Sequence, residues 1–242
     1  MQTIELFKTN QASKKLIKQN LIDFNAIDES GSSILHYACQ LNSSLAKYLI
    51  VNYFYDKLNI TNYAGIHIIH VACKYNTSIV KFILKNKYNI NFNAFDDFHR
   101  KAIHYAARYN TKSLKLLLKH NIMNLEACDG NLWKPIHYAA KYNSENLKIL
   151  IKSGLVDLES ETDKMEKPIH LACKYNNSNT RMLIKLVDLN ACDIYGNNIL
   201  DICYQIDDLK TFRLIYKKID NINIKSYSKP EYFKLCMNRL FI

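Results

Sequence analysis

The segment I-L-H-Y-A-C, ending at Cys39, recurs down this chain at a nearly fixed interval. It returns as I-I-H-V-A-C at 68–73, A-I-H-Y-A-A at 102–107, P-I-H-Y-A-A at 135–140 and P-I-H-L-A-C at 168–173, with a worn copy, I-L-D-I-C, at 199–203. The anchoring residues are His36, His70, His104, His137, His170 and Asp201, spaced by 34, 34, 33, 33 and 31. A repeat of this length is one supersecondary unit that cannot bury its apolar face alone, so neighbouring units must stack. The chain has 242 residues, and six such units leave no room for a separate catalytic domain.

Each unit carries the same chemistry. Two positions after the first five anchors stand Ala38, Ala72, Ala106, Ala139 and Ala172, followed by Cys39, Cys73, Ala107, Ala140 and Cys173. Small residues at one point of every unit let helices approach closely. Six positions after the anchor come Asn42, Asn76, Asn110, Asn143 and Asn176. Asn is the best non-glycine residue for a left-handed helix end, so these are expected to close the first helix. Ser43, Thr77, Thr111, Ser144 and Asn177 follow and are expected to cap a second helix. That helix is amphipathic: Val80, Ile83 and Leu84, Leu114, Leu117 and Leu118, and Leu147, Leu150 and Ile151 fall at i, i+3, i+4.

These features resemble the ankyrin repeat, a module of two helices and a β-turn with a T-P-L-H-x-A signature. Pro135-Ile136-His137 and Pro168-Ile169-His170 match the signature most closely. The turn motif D-x-x-G survives as Asp28…Gly31 and Asp193…Gly196, and as Asn62…Gly65, and is eroded at Asp96 and Asp129. The signature Thr is replaced by Ser33, His67, Lys101, Lys134, Lys167 and Asn198, which puts the family's Thr–His hydrogen bond in doubt. The resemblance implies an all-α solenoid of stacked helix-turn-helix units joined by β-turn loops. Its expected divisions are an N-terminal capping repeat at 1–27, repeats at 28–61, 62–95, 96–128, 129–161, 162–192 and 193–225, and a C-terminal helical tail or cap at 226–242.

Composition narrows the function classes. The five glycines stand alone, so neither G-x-G-x-x-G nor a P-loop can be written. The seven cysteines include no C-x-x-C, and most sit in apolar runs, as expected of reduced thiols in a cytosolic or nuclear protein. The N-terminus lacks the apolar run of a signal peptide, and no stretch reaches the length of a membrane span. Five of the eight histidines are anchors. Stacked units lie about 8–10 Å apart, too far for their histidines to share a zinc ion. No G-x-S-x-G or H-E-x-x-H motif occurs, so no enzyme, no metal and no cofactor is expected.

The net charge is +11, from 33 Lys+Arg against 22 Asp+Glu. A basic surface favours acidic partners. At the end of the first helix stand Lys74-Tyr75, Arg108-Tyr109, Lys141-Tyr142 and Lys174-Tyr175. The resemblance places these on the concave groove, where stacking makes one cationic and one aromatic column. Turn tips add Tyr63, Ile66, Phe98, Arg100 and Trp133, residue types rich in interface hot spots apart from Ile66. For Trp133 the alternative is packing against the neighbouring turn. Lysines of the second helix, Lys115 among them, are expected on the convex side. Duplication of one ancestral repeat with Lys-rich coding explains the columns equally well and stays open.

The expected function is a monomeric, non-enzymatic scaffold that binds a protein partner, of acidic character, through the groove. Two rivals remain. One is nucleic-acid binding by the basic surface, although no nucleic-acid motif occurs. The other is a ubiquitin-ligase adaptor, because the tail Pro230-Glu231-Tyr232-Phe233-Lys234-Leu235 loosely resembles the F-box-like segment that ends some ankyrin proteins.

Overall fold

The computed structural model describes residues 2–12, 14–216 and 218. The expected tail at 226–242, its F-box-like segment and the end of the sixth repeat lie outside the described residues. The chain divides into two compact units, Met1–Asn124 and Leu125–Ile242.

The first unit opens with two short helices, α1 (Gln2–Lys8) and α2 (Lys14–Lys18), whose Phe7 and Ile17 are buried. Three hairpins follow. They pair α3 (Ile34–Leu41) with α4 (Ser43–Asn52), α5 (Ile68–Tyr75) with α6 (Thr77–Asn86), and α7 (Ala102–Tyr109) with α8 (Thr111–His120). The second unit holds three more: α9 (Pro135–Tyr142) with α10 (Ser144–Ser153), α11 (Pro168–Tyr175) with α12 (Asn177–Leu183), and α13 (Ile199–Gln205) with α14 (Leu209–Tyr216). Within each unit the first helices pack on one another, α3 on α5 on α7 and α9 on α11 on α13. Ala38, Ala72, Ala106, Ala139 and Ala172 are buried at these contacts, with Cys39, Cys73 and Cys173 beside them. None of the six described cysteines is in a disulfide. Burial alone pushes the Cys39 thiol up to about 12, which makes it inert.

One turn design precedes all six hairpins. The side-chain oxygen of its first residue accepts from the backbone N–H groups two and four positions on. Asp28 serves Ser30 and Ser32, Asn62 serves Ala64 and Ile66, and Asp96 serves Phe98 and Arg100. Asp129 serves Asn131 and Trp133, Thr162 serves Lys164 and Glu166, and Asp193 serves Tyr195 and Asn197. The fourth turn residue always has positive φ. Glycine supplies it at Gly31, Gly65 and Gly196, but His99, Leu132 and Met165 adopt φ of 58°, 58° and 54°. The erosion of D-x-x-G thus changed the residue and not the turn.

One local expectation fails. Asn42, Asn76, Asn110, Asn143 and Asn176 are extended, with φ between −139° and −154°, not left-handed. They are the N-caps of the second helices; Ser43, Thr77, Thr111, Ser144 and Asn177 are those helices' first residues. The side chains of Asn42, Asn110, Asn143 and Asn176 accept from the N–H three positions on. Asn76 instead reaches back to the preceding hairpin, donating to the Cys39 carbonyl at 2.9 Å and accepting from Ser43. Asn is selected here because a carboxamide both accepts and donates. Left-handed backbone does occur at Asn10 and Asp207, in the two outermost copies of the motif.

Candidate functional site

The anchor histidines are fully committed. His36, His70, His104, His137 and His170 each accept at Nδ1 from the backbone N–H three residues earlier, at 2.9 to 3.1 Å. This is the far half of a capping box, with His in place of Glu. Four of them bond through Nε2 to a carbonyl of the next turn, Ile66, Ala94, Ser160 or Ala191, each at 3.0 Å. A carbonyl only accepts, so Nε2 carries the proton and Nδ1 is bare: the neutral tautomer. Burial lowers these imidazoles, His70 and His137 to about 4, against the milder upward pull of the carbonyl bonds. The family's hydroxyl–His bond occurs only where Ser33 stands, at 2.8 Å. Among the described residues no group of three His, Cys, Asp or Glu could hold a metal ion.

The expected groove residues cluster within each unit. In the first, the Lys74 ammonium lies 4.6 Å from the centroid of Tyr75 and 4.7 Å from that of Tyr109, and Arg108 lies 4.7 Å from Tyr109. In the second, Lys141 lies 3.9 Å from Tyr175, 5.0 Å from Tyr142 and 5.4 Å from Trp133. Each of these cations therefore lies against a ring of its own hairpin, and Lys74 and Lys141 also against a ring of the next. The four tyrosines are exposed, Tyr175 most of all at 58%. Among the described residues no carboxylate pairs with Lys74 or Lys141. Lys174 differs: Glu166 holds it at 2.6 Å and Asp193 at 3.4 Å. Against the opposing effect of burial, these two carboxylates raise its pKa.

The turn tips divide in the same way. Tyr63 and Phe98 are exposed, at 70% and 61%. Ile66 is half-buried, and its carbonyl takes the His36 bond. Arg100 turns inward onto the Asp96 carboxylate at 2.7 Å, with its guanidinium over Phe98 and Tyr105. Trp133 is half-buried and packs edge-on to Tyr138 at 5.2 Å, with His137 behind it. Its ring contacts, with Tyr138, His137 and Lys141, are with its own hairpin.

A further constellation ties three of the turns to their first helices. The Tyr37, Tyr105 and Tyr138 hydroxyls donate to Oδ2 of Asp28, Asp96 and Asp129 at 2.5, 2.6 and 2.5 Å. Burial alone would raise the Asp96 carboxyl; the bonds from Arg100 and Tyr105 outweigh it and hold it below the usual carboxylate range. The signal was present in the sequence. Where the residue after the anchor is Val71 or Leu171, the turn begins with neutral Asn62 or Thr162. Asp193, which faces Ile202 at the equivalent place, takes Asn197 and Lys174 as donors instead.

No helix among the described residues is long and apolar enough to cross a membrane. The family model "Ankyrin repeats (3 copies)" matches residues 5–96 and 69–161. No curated protein matches the chain. With the period, the paired helices and this match in agreement, the chain belongs to the ankyrin-repeat family, whose modules mediate protein–protein interaction.

Proposed function

We propose that this protein is a non-enzymatic scaffold of the cytosol or nucleus that binds one acidic protein partner as a monomer, through the groove face of the first helices in each unit. The observation that supports this most is the interleaving of Lys74 and Lys141 with exposed tyrosines, because neither lysine is neutralised by a carboxylate among the described residues. An ammonium held over two rings has little rotamer freedom to lose on binding. Tyr75, Tyr109, Tyr142 and Tyr175 add area at low entropic cost. Tyr63, Ile66, Phe98, Arg100, Arg108, Trp133 and Lys174 complete the proposed contact set, with Arg100, Trp133 and Lys174 acting mainly as supports for the exposed groups beside them.

The test is affinity purification from the native cell with three baits. These are the unchanged chain, Lys74→Glu/Lys141→Glu in the groove, and Lys115→Glu on the exposed side of α8. The groove variant should lose the acidic partner and the α8 variant should retain it. Equal retention by all three baits overturns the groove assignment. A nucleic acid recovered in its place, with retention falling steeply as salt rises, favours the basic-surface reading. Trp133→Ala should weaken partner binding by about 2 kcal/mol. It should also lower the melting temperature, since the ring packs on Tyr138.

A further inference from the structure

The second hairpin lacks a ring that the hairpins on both sides of it possess. Tyr37 and Tyr105 follow their anchors and bond to Asp28 and Asp96; Val71 follows His70 and faces Asn62. A cavity of about 170 Å³ opens there, lined by Val71, Asn62, Tyr37, Tyr105, Lys74 and Ser32 among others. A cavity of roughly 150 Å³ is enough to admit one benzene ring. The fifth hairpin has lost the same pair, but there the longer Leu171 takes the place of Val71 and Glu166 draws Lys174 inward. In the second hairpin Ile66 stands where Glu166 does, so no carboxylate of that turn meets Lys74, which lines the cavity.

We infer that this cavity receives the side chain of a tyrosine carried by an acidic segment of the partner. The inference rests on the groove reading above and names the anchor of that site. The chain supplies its own template, because a phenol fills the equivalent space in three other hairpins. The walls fit a ring: Tyr37 and Tyr105 come from the flanking hairpins, and Val71 forms the truncated end. Asn62 and Ser32, bonded to each other at 3.2 Å, offer neutral polar groups to the phenol hydroxyl. His36 and His70 are neutral and have both ring nitrogens engaged, so Lys74 is the cation that meets the carboxylates flanking the tyrosine. The overall charge of +11 favours the same acidic segment. An aromatic side chain in a desolvated pocket is the usual form of an interface hot spot.

The experiment titrates the full chain with two labelled acidic dodecapeptides that differ only in a central tyrosine or alanine, followed by fluorescence anisotropy. The tyrosine peptide should bind about tenfold tighter or better. That preference should vanish in Val71→Tyr/Asn62→Asp, where the chain's own ring fills the space. Val71→Leu, the residue of the fifth hairpin, gives a second reading if the double variant fails to fold, and should reduce the preference. Equal affinity of the two peptides for the unchanged chain overturns the pocket and leaves the groove reading standing. A tyrosine preference that survives in Val71→Leu and in a folded double variant also overturns it. Absence of binding by either peptide removes the groove reading and the pocket together.

Discussion

The second and third hairpins pack against each other in the first unit, on one backbone plan, yet they are held by different chemistry. The third begins its turn with a buried carboxylate, Asp96, which collects two backbone N–H groups, the Arg100 guanidinium and the Tyr105 hydroxyl. The second begins with Asn62, whose oxygen collects the same two backbone N–H groups, while its side chain finds Ser32. The turn itself therefore needs only an oxygen; Thr162 provides it with a hydroxyl. A carboxylate stands there where further side-chain donors meet it: Tyr37 at Asp28, Tyr105 and Arg100 at Asp96, Tyr138 at Asp129, and Asn197 with Lys174 at Asp193. A carboxylate buried without such donors would be costly, which is why the donors and the charge are absent together.

That contrast can be broken most directly at the turn residues. Asp96→Ala strands four donors, one of them charged, and should cost about 3 kcal/mol in urea unfolding. Asn62→Ala strands fewer and should cost about 1–2 kcal/mol. Equal losses would show that the carboxylate adds nothing beyond the turn.

Acid should separate the two hairpins by a different route. Above pH 6.5 the His70 ring is neutral in both the folded and the unfolded chain and exerts no pH dependence. Between 6.5 and about 4 only the unfolded chain takes up the proton, so stability falls as pH falls, by ~3 kcal/mol in all. Asp96 has a lowered value, so its contribution persists above the ordinary carboxylate range and is lost only at lower pH. Nuclear magnetic resonance at about pH 5 should therefore find the His70 imidazole still neutral in the folded chain. A protonated ring there would mean that Nδ1 no longer accepts from the His67 N–H in solution.

A smaller effect is expected from converting one hairpin into the other. Val71→Tyr and Asn62→Asp should each destabilise or be neutral alone, because each brings half of a bonded pair. Together they should recover about 1–2 kcal/mol of coupling in a double-mutant cycle. Additive effects would mean that the pair is not a unit. The smallest change concerns the left-handed turn residue, Gly65 in the second hairpin and His99 in the third. His99→Gly relieves a backbone cost of about 1 kcal/mol but loses the ring stacked on Phe95 at 5.2 Å, so the melting temperature should rise by at most a few degrees. The reverse change, Gly65→Ala, should lower it, since a Cβ there would lie 2.6 Å from Asp97 Oδ1 and 2.9 Å from its backbone nitrogen.

The period, the helix pairs and the buried alanines were legible because they repeat. A spacing near 33 residues with a 3.6-residue apolar stripe admits few architectures, and one copy's ambiguity is corrected by five others. The exposed tyrosines beside cations were legible for the same reason. Other features lay beyond the pattern. Asn at a helix junction suits both a left-handed end and an N-cap, and only the packed hairpins select the second, because the carbonyl it must satisfy belongs to the preceding repeat, as Cys39 does for Asn76. Whether Lys174 faces outward like Lys74 depends on Glu166, a turn residue eight positions earlier in the chain that the fold returns to its side. Trp133 reads as an exposed anchor until Tyr138 is seen beneath it. The sequence by itself determined the module, its period and the small residues that let copies stack, since those follow from local periodicity. Only the tertiary structure decided which charges are spent inside, which rings are covered and where a missing side chain leaves a cavity, because each is settled by atoms that meet across a repeat rather than along it.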